Sequence, residues 1–353
     1  MQWHGTESHE ARCTPSTDCS SPPIIYTHYG ICHYLPTVLR QTRRSNPEKS
    51  CILIGDESNR VVAERTGWCH IDMDEIVSPR RDQFNATFRW IQGRDHGPVK
   101  GGRDWLRYVF ERFFMIEQVL QSLWKDEIDR QVFWHFDSDT MILEDLLPFD
   151  NLLDQNRLDC TTLCNGICPS GLLRAGLLRR YCDYILEIFS NKRALIEEQA
   201  KYDNGPAGHA FTEMVVFARL CEQGAVSVAR LGRLVESQGY WFDDCICQGE
   251  GGFSLVYAEM AGRMIKDLRK CDHKVVGGKE NTNLTFVTVN CSWVPQEAFD
   301  WLEGVAMGNH VALSLGHALR LPAHLLVERA LRQPKVVLRI MRERLRSYLV
   351  SRI

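Results

Sequence analysis

Short apolar runs, each closed by polar turn formers, alternate along the first half of the chain with longer stretches of helical spacing. Ile24–Thr27, Cys51–Ile54, Cys69–Ile71 and Val132–Phe136 are compact β-branched and aromatic runs that predict buried strands. Between them, Leu35–Ser45 and Arg60–Thr66 predict helices, the first stopped by Asn46-Pro47. Trp105–Trp124 places apolar residues at 106, 109, 110, 113, 116, 120 and 123, one face of a long amphipathic helix. Strands and helices in that rhythm predict a parallel sheet with right-handed crossovers.

Further along, Cys160–Ser170 mixes strand and turn, while Ala175–Lys192, Leu195–Gln199 and His209–Cys221 read as helices. Gly93–Gly102 is a glycine-rich polar loop without the spacing of a Walker or dinucleotide loop, and Lys201–Gly208 is a second loop. Tyr240–Asp244 and Gly249–Gly252 read as aromatic and glycine-rich loops, Leu284–Val289 as a strand, and the chain from Pro295 as helical. The expected division is a disordered Ser/Thr/Pro-rich leader over 1–22, one α/β domain over 23–294 and a helical carboxyl-terminal extension over 295–353.

Chemistry concentrates in Gln131–Leu143. There the apolar run to Phe136 breaks at Asp137-Ser138-Asp139 and resumes as Met141-Ile142-Leu143. Alternation along an extended chain points Asp137 and Asp139 the same way, at the carboxyl end of a strand where open α/β sheets bind ligands. Two neighbouring carboxylates repel, and a hard divalent cation, Mg²⁺ or Mn²⁺, relieves them while accepting phosphate oxygens. Two other readings stand beside this one. Asp and Ser also build ordinary turns. An Asp-x-Asp strand also opens phosphatases of the haloacid dehalogenase type, but those want Thr or Val two residues after the second Asp, where Met141 stands.

Composition narrows the class. In 353 residues, 44% hydrophobic and 25% charged content is that of a globular protein, and a net charge of -3 gives no sign of a nucleic-acid surface. No apolar run is long enough to span a membrane, and the amino-terminal stretch has no signal-peptide core, so a cytoplasmic location is expected. Fourteen cysteines without a signal peptide are expected as reduced thiols, and the spacings Cys160/Cys164/Cys168 and Cys245/Cys247 do not match a structural zinc site.

In their order, Ile24-Ile-Tyr-Thr-His-Tyr-Gly30, Ile52-Leu-Ile-Gly-Asp56, Phe110-Glu-Arg-Phe-Phe114 and Phe136-Asp-Ser-Asp139 resemble a GT-A glycosyltransferase with a DXD motif. The match is good over 23–145 and looser over 146–292. The resemblance implies a Rossmann-like central, mostly parallel sheet flanked by helices, and sugar transfer from a nucleoside diphosphate donor, UDP above all, to a hydroxyl of a glycan or glycolipid. It implies Mn²⁺ or Mg²⁺ on Asp137 and Asp139, with Ser138 between them. It further implies nucleotide contacts from Thr27, His28, Tyr29, Gly30 and Asp56, and donor contacts from Arg107 or Arg112, where a solvated helix face is the alternative. Tyr29 and Trp105 are candidates to stack on the base or, equally, to pack in the core.

For the acceptor hydroxyl, the resemblance implies an acid after the sugar-binding loop. Glu213 is the candidate, with Asp243 and Asp244 competing and ordinary surface acids as the plain alternative. The family's late metal-binding histidine has no counterpart: the strand runs into Asn290-Cys-Ser-Trp293, so Asn290 is expected to offer an amide oxygen or the third ligand is absent. A catalytically silent relative that binds nucleotide or glycan as a scaffold is the rival reading. From Arg320 to Ile353 nine Lys or Arg face two Glu along an apolar helical pattern, which suits a membrane surface, the protein's own domain or a second subunit.

Overall fold

The computed structural model describes residues 21–93, 102–204, 210–258, 261–279 and 282–308. The expected leader to residue 20, most of the loops at 93–102 and 201–208, and the expected helix beyond residue 308 lie outside them.

The amino-terminal half follows the expected rhythm: β1 (Ile24–His28), α1 (Leu35–Ser45), β2 (Cys51–Gly55), α2 (Arg60–Arg65) and β3 (Cys69–Asp72). Two helices follow, α3 (Pro79–Thr87) and α4 (Gly102–Trp124), then β4 (Val132–His135) and β5 (Thr140–Ile142). α3 went unread in the sequence because only Phe84 of it is fully buried, leaving little apolar periodicity to detect. Its start is nonetheless well marked: Ser78 caps it by accepting from Arg81 N, and Pro79 opens it.

The middle of the chain contributes α5 (Leu152–Asn156), β6 (Cys160–Leu163), β7 (Cys168–Arg174), α6 (Ala175–Ser190), α7 (Lys192–Asn204) and α8 (Glu213–Glu222). Lys201–Asn204 thus belongs to a helix rather than a loop, and α8 begins four residues later than its pattern suggested. Then come β8 (Val228–Arg230), α9 (Leu231–Val235), β9 (Tyr240–Phe242), β10 (Leu255–Ala258), β11 (Arg263–Lys266), β12 (Leu268–Cys271), β13 (Lys274–Lys279), β14 (Thr282–Asn290) and α10 (Gln296–Met307). The aromatic run Tyr240–Phe242, expected as loop, is a strand because it finds a partner: it lies parallel to β14, Trp241 opposite Phe286.

Seven strands form the central sheet in the order β3-β2-β1-β4-β7-β6-β8. Its pairings are mostly parallel; β7 alone runs against both neighbours, β4 and β6. A second sheet, β12-β13-β14-β5 with β9 beside β14, is mainly antiparallel. The two sheets share one continuous segment, since β4 belongs to the first and β5 to the second. The chain therefore changes sheets across Phe136–Asp139.

One apolar core lies between the central sheet, α1, α10 and the second sheet, with Trp134, Trp241, Phe242 and Phe286 at its centre. The other packs α3, α4, α6 and α8 on the opposite face around Phe84, Phe110, Phe113 and Phe189. Both faces of β4 are consequently covered, and Phe133 and Trp134 are completely buried. Among the described residues no helix is long and apolar enough to cross a membrane.

Candidate active site

β4 is held on both sides, Ile24 opposite Trp134 on β1 and Leu172 opposite Trp134 on β7. His135 Nδ1 donates to the Ile25 carbonyl at 3.0 Å, fixing the last residue of the strand. Beyond it the backbone folds back, with Thr140 N donating to the Asp137 carbonyl at 2.8 Å. Asn290 on β14 stands opposite Thr140, so the Asp137–Asp139 turn is pinned between the two sheets. Position and turn chemistry act together here: a strand that must leave one sheet and enter another exposes its polar turn at the seam.

Asp137 is half-exposed, its side chain 39% accessible, and meets the Arg112 guanidinium at Nη1. The same guanidinium donates from Nη2 to Glu213 Oε1 at 3.1 Å. Arg112 is buried and lies over the Phe113 ring at 5.0 Å. Against burial, which alone would raise it, the Arg112 charge holds the Asp137 carboxyl below its usual range. Among the described residues no cation forms an ion pair with Asp139. Burial first, then the Asp137 charge, push its carboxyl up to about 6, although Ser292 Oγ donates to it at 2.7 Å. Burial likewise raises the Glu213 carboxyl to about 7, with the Arg112 charge opposing and the Asp137 charge adding.

The nucleotide-side candidates gather at the same edge. His28 Nδ1 lies 2.8 Å from Ser138 Oγ, tying the end of β1 to the acid turn. Burial lowers the His28 imidazole to about 4, so it is neutral near pH 7. Thr27 is buried beside it on β1, and Tyr29 sits at the surface, its ring 4.4 Å from Tyr108. Gly30 adopts φ +76, a conformation that favours glycine, and its N–H donates to Asp56. Both Asp56 oxygens are engaged, one by Gly30 and the other by Ser58 N at 2.9 Å. Asp56 thus joins the loops after β1 and β2. Trp105 is half-buried and packs against the helical core.

Three candidates fall elsewhere or turn differently. Arg107 pairs along its own helix with Asp104 at 3.6 Å and Glu111 at 3.7 Å, not with the acid pair. Five helical residues separate it from Arg112, a rotation of about 140°, so the two cannot share a face. Asp244 is buried and pairs with Arg230 at 2.6 Å. Asn290 does reach Asp139, but with its amide nitrogen, at 3.4 Å; its oxygen accepts from Ser292 N at 3.0 Å. The expected amide-oxygen ligand is therefore replaced by a hydrogen-bond donor.

The sequence reading missed Ser292 and Trp293. Ser292 is the closest hydroxyl on Asp139, and Trp293 beside it is 71% exposed with φ +71. A signal was present: an alternating strand ending in Asn-Cys-Ser-Trp mirrors the polar break after β4. A large apolar side chain held in solvent on a left-handed backbone is a costly arrangement of the kind found at ligand-binding sites.

A divalent ion can be tested against this donor set. Among the described residues no three His, Cys, Asp or Glu side chains converge as a metal cage. Two carboxylates nevertheless suffice for Mg²⁺ or Mn²⁺ when water and phosphate complete the shell. Asp137 keeps 39% of its side chain exposed beside Asp139, and carboxylate oxygens of that kind are the donors a hard cation takes.

No family model matches the chain, and no curated protein matches it. Among solved structures it is similar to the PaToxG glycosyltransferase at 10% identity, over 62% of this chain and 74% of that one, with a TM-score of 0.35. It is similar to apo mouse xyloside xylosyltransferase 1 at 11% identity, over 60% and 84%, with a TM-score of 0.38. A cytidylyltransferase from Leptospira borgpetersenii serovar Hardjo-bovis aligns at 12% identity, over 55% and 79%, with a TM-score of 0.27. At that distance the site must be read from its own geometry. The class the chain itself defines is a mixed α/β protein whose mostly parallel central sheet carries an acid pair at the end of β4.

Proposed function

We propose that the protein is a metal-dependent glycosyltransferase of the GT-A kind, moving a sugar from a UDP-linked donor to a hydroxyl of a glycan acceptor. One observation carries this reading: Asp137 and Asp139 close the central strand at the seam of two sheets, where Arg112 is the cation that pairs, among the described residues, with Asp137 and Glu213. Asp137 and Asp139 would hold Mn²⁺ or Mg²⁺, which when bound supplies a Lewis acid for the departing diphosphate. Arg112 keeps Asp137 ionised and oriented, and its fork is shared with Glu213 rather than spent on one acid.

Ser292 and Asn290 orient Asp139 through hydrogen bonds. His28, neutral and tied to Ser138, sets the height of the acid turn relative to the end of β1, where Thr27, Tyr29 and Gly30 form a wall for the nucleoside. Glu213, with its carboxyl raised toward neutrality, is suited to take the proton of an acceptor hydroxyl in an inverting reaction.

The rival reading, a silent scaffold that binds nucleotide, draws on the same geometry. Arg112 partly satisfies Asp137, and Asn290 offers nitrogen instead of oxygen. Release of UDP from UDP-sugars with Mn²⁺ separates the two. The enzyme reading expects release by the wild type and none by Asp139→Ala. Equal release by both proteins removes the role of Asp139. No release by either, with UDP still raising the melting temperature, establishes the scaffold.

A further inference from the structure

Behind the acid pair lies a thiol pair that the reading above does not use. Gln248 N donates to the Cys245 carbonyl at 3.1 Å, which folds Cys245–Gln248 into a turn and brings residues two apart onto one side. The Cys245 and Cys247 sulfurs both lie 3.9 Å from the Ser292 carbonyl oxygen, which places the two thiols against one backbone atom. The backbone here is clamped: Lys266 Nζ donates to the Cys245 carbonyl at 2.8 Å and Ile246 N to the Asn290 carbonyl at 2.8 Å. Cys245 is buried and Cys247 half-buried, with Arg263 Nη1 3.9 Å from the Cys247 sulfur.

We propose that Cys245 and Cys247 form a dithiol modification site that a hydroperoxide closes to an intrachain disulfide, Cys247 reacting first and Cys245 resolving. The Cys247 thiolate attacks the peroxide O–O bond, forming an S–O bond and expelling an alkoxide or hydroxide that takes up a proton. The Cys245 thiolate then attacks that sulfur, forming the S–S bond as the S–O bond breaks and hydroxide leaves to become water. Two thiols thereby give up two electrons and two protons to one hydroperoxide, which ends as an alcohol or water, and one further water.

The order of attack follows from the surroundings. The neighbouring Cys245 side chain lowers the Cys247 thiol to about 7, helped against burial by the Arg263 guanidinium 3.9 Å away, whereas Cys245 is pushed up. The shared carbonyl belongs to Ser292, whose hydroxyl supports Asp139, so closure alters the backing of the acid pair.

The test uses the full chain and hydrogen peroxide near stoichiometry, followed by iodoacetamide, unfolding, digestion and mass spectrometry. The peptide bearing both residues should be unalkylated and two hydrogens lighter, and dithiothreitol should restore it. Cys245→Ser should arrest Cys247 as a sulfenic acid that dimedone traps, and Cys247→Ser should leave Cys245 unmodified. Arg263→Gln should slow alkylation of Cys247 at pH 7 severalfold, within the roughly 15-fold fall in thiolate fraction between pKa values of about 7 and about 8.5.

Oxidation of Cys247 with Cys245 left free in the wild type overturns the proposal. So does a disulfide that forms instead between Cys164 and Cys168, or unchanged Cys245 reactivity when Cys247 is absent. None of these readouts needs sugar transfer, so the outcome is independent of the UDP-release assay.

Discussion

Two carboxylate clusters flank Asn290, and they are built to opposite plans. On one side Asp137 and Glu213 share the Arg112 guanidinium, Asp139 is held by the Ser292 hydroxyl instead, and Asp137 remains open to solvent. On the other, Asp243 is completely buried against an equally buried Lys266, which also reaches Glu250 at 3.4 Å, while Asp244 has Arg230. Asn290 touches both, its backbone N–H donating to Asp243 at 3.2 Å and its side chain to Asp139. Acid content alone therefore does not mark a site. Incomplete compensation together with access does, since charge that the fold leaves unbalanced is charge a ligand can satisfy.

The largest expected effect lies in the closed cluster. Lys266→Met strands Asp243 and should cost about 3–5 kcal/mol, the usual consequence of removing one partner of a buried ion pair. Chemical denaturation reads this directly, and an unchanged midpoint would mean that Asp243 finds compensation elsewhere. Next comes Asp139→Asn in the open cluster, which should fold normally and lose Mn²⁺-dependent UDP release by roughly 10²–10³-fold, equivalent to several kcal/mol of Lewis-acid stabilisation. If the two substitutions exchanged their outcomes, the contrast between the clusters would collapse.

A pH titration sharpens the comparison. Burial raises both Glu213 and Glu250 to about 7, above the ordinary glutamate value, so between roughly pH 4.5 and 7 these two groups bind more protons in the folded protein than in the unfolded chain, and their contribution to stability follows. Stability should then be fullest below that window and decline as pH rises through it. Glu213→Gln should flatten part of the slope in melting temperature against pH; an unaltered slope would place the proton elsewhere. The smallest effect is expected for Arg107→Gln, within about 0.5 kcal/mol of the wild type and without change in UDP release, since its partners are exposed or held by other residues. Arg112→Gln serves as the contrasting control, because it should lose release as well as stability.

The elements easiest to read in the sequence were those whose burial is written locally. β1, β2, β4 and the long α4 carry dense apolar runs or a clean helical stripe, and they appear close to where the pattern puts them. The small strands β10 to β13 were not legible, because residues such as Arg263–Lys266 and Leu268–Cys271 carry little apolar pattern and become strands only through antiparallel pairing, with β10 and β13 respectively. β9 is the same case in aromatic form.

Within the site, the acid turn was visible because it interrupts an apolar run. Which arginine serves it was not: Arg107 and Arg112 look alike until the helix rotation and the position of Glu213, a hundred residues on, are known.

Local pattern was thus sufficient to specify the alternating strands and helices, the break at Asp137–Asp139 and the kind of chemistry such a break invites. Tertiary structure alone decided the partners. It gave Arg112 to Asp137 and Glu213, turned the nitrogen of Asn290 toward Asp139, sealed Asp243 against Lys266, and set two thiols behind Ser292. The reason is range: apolar burial and backbone propensity act between residues close in the chain, whereas charge compensation depends on groups that only the folded packing brings within a few ångströms.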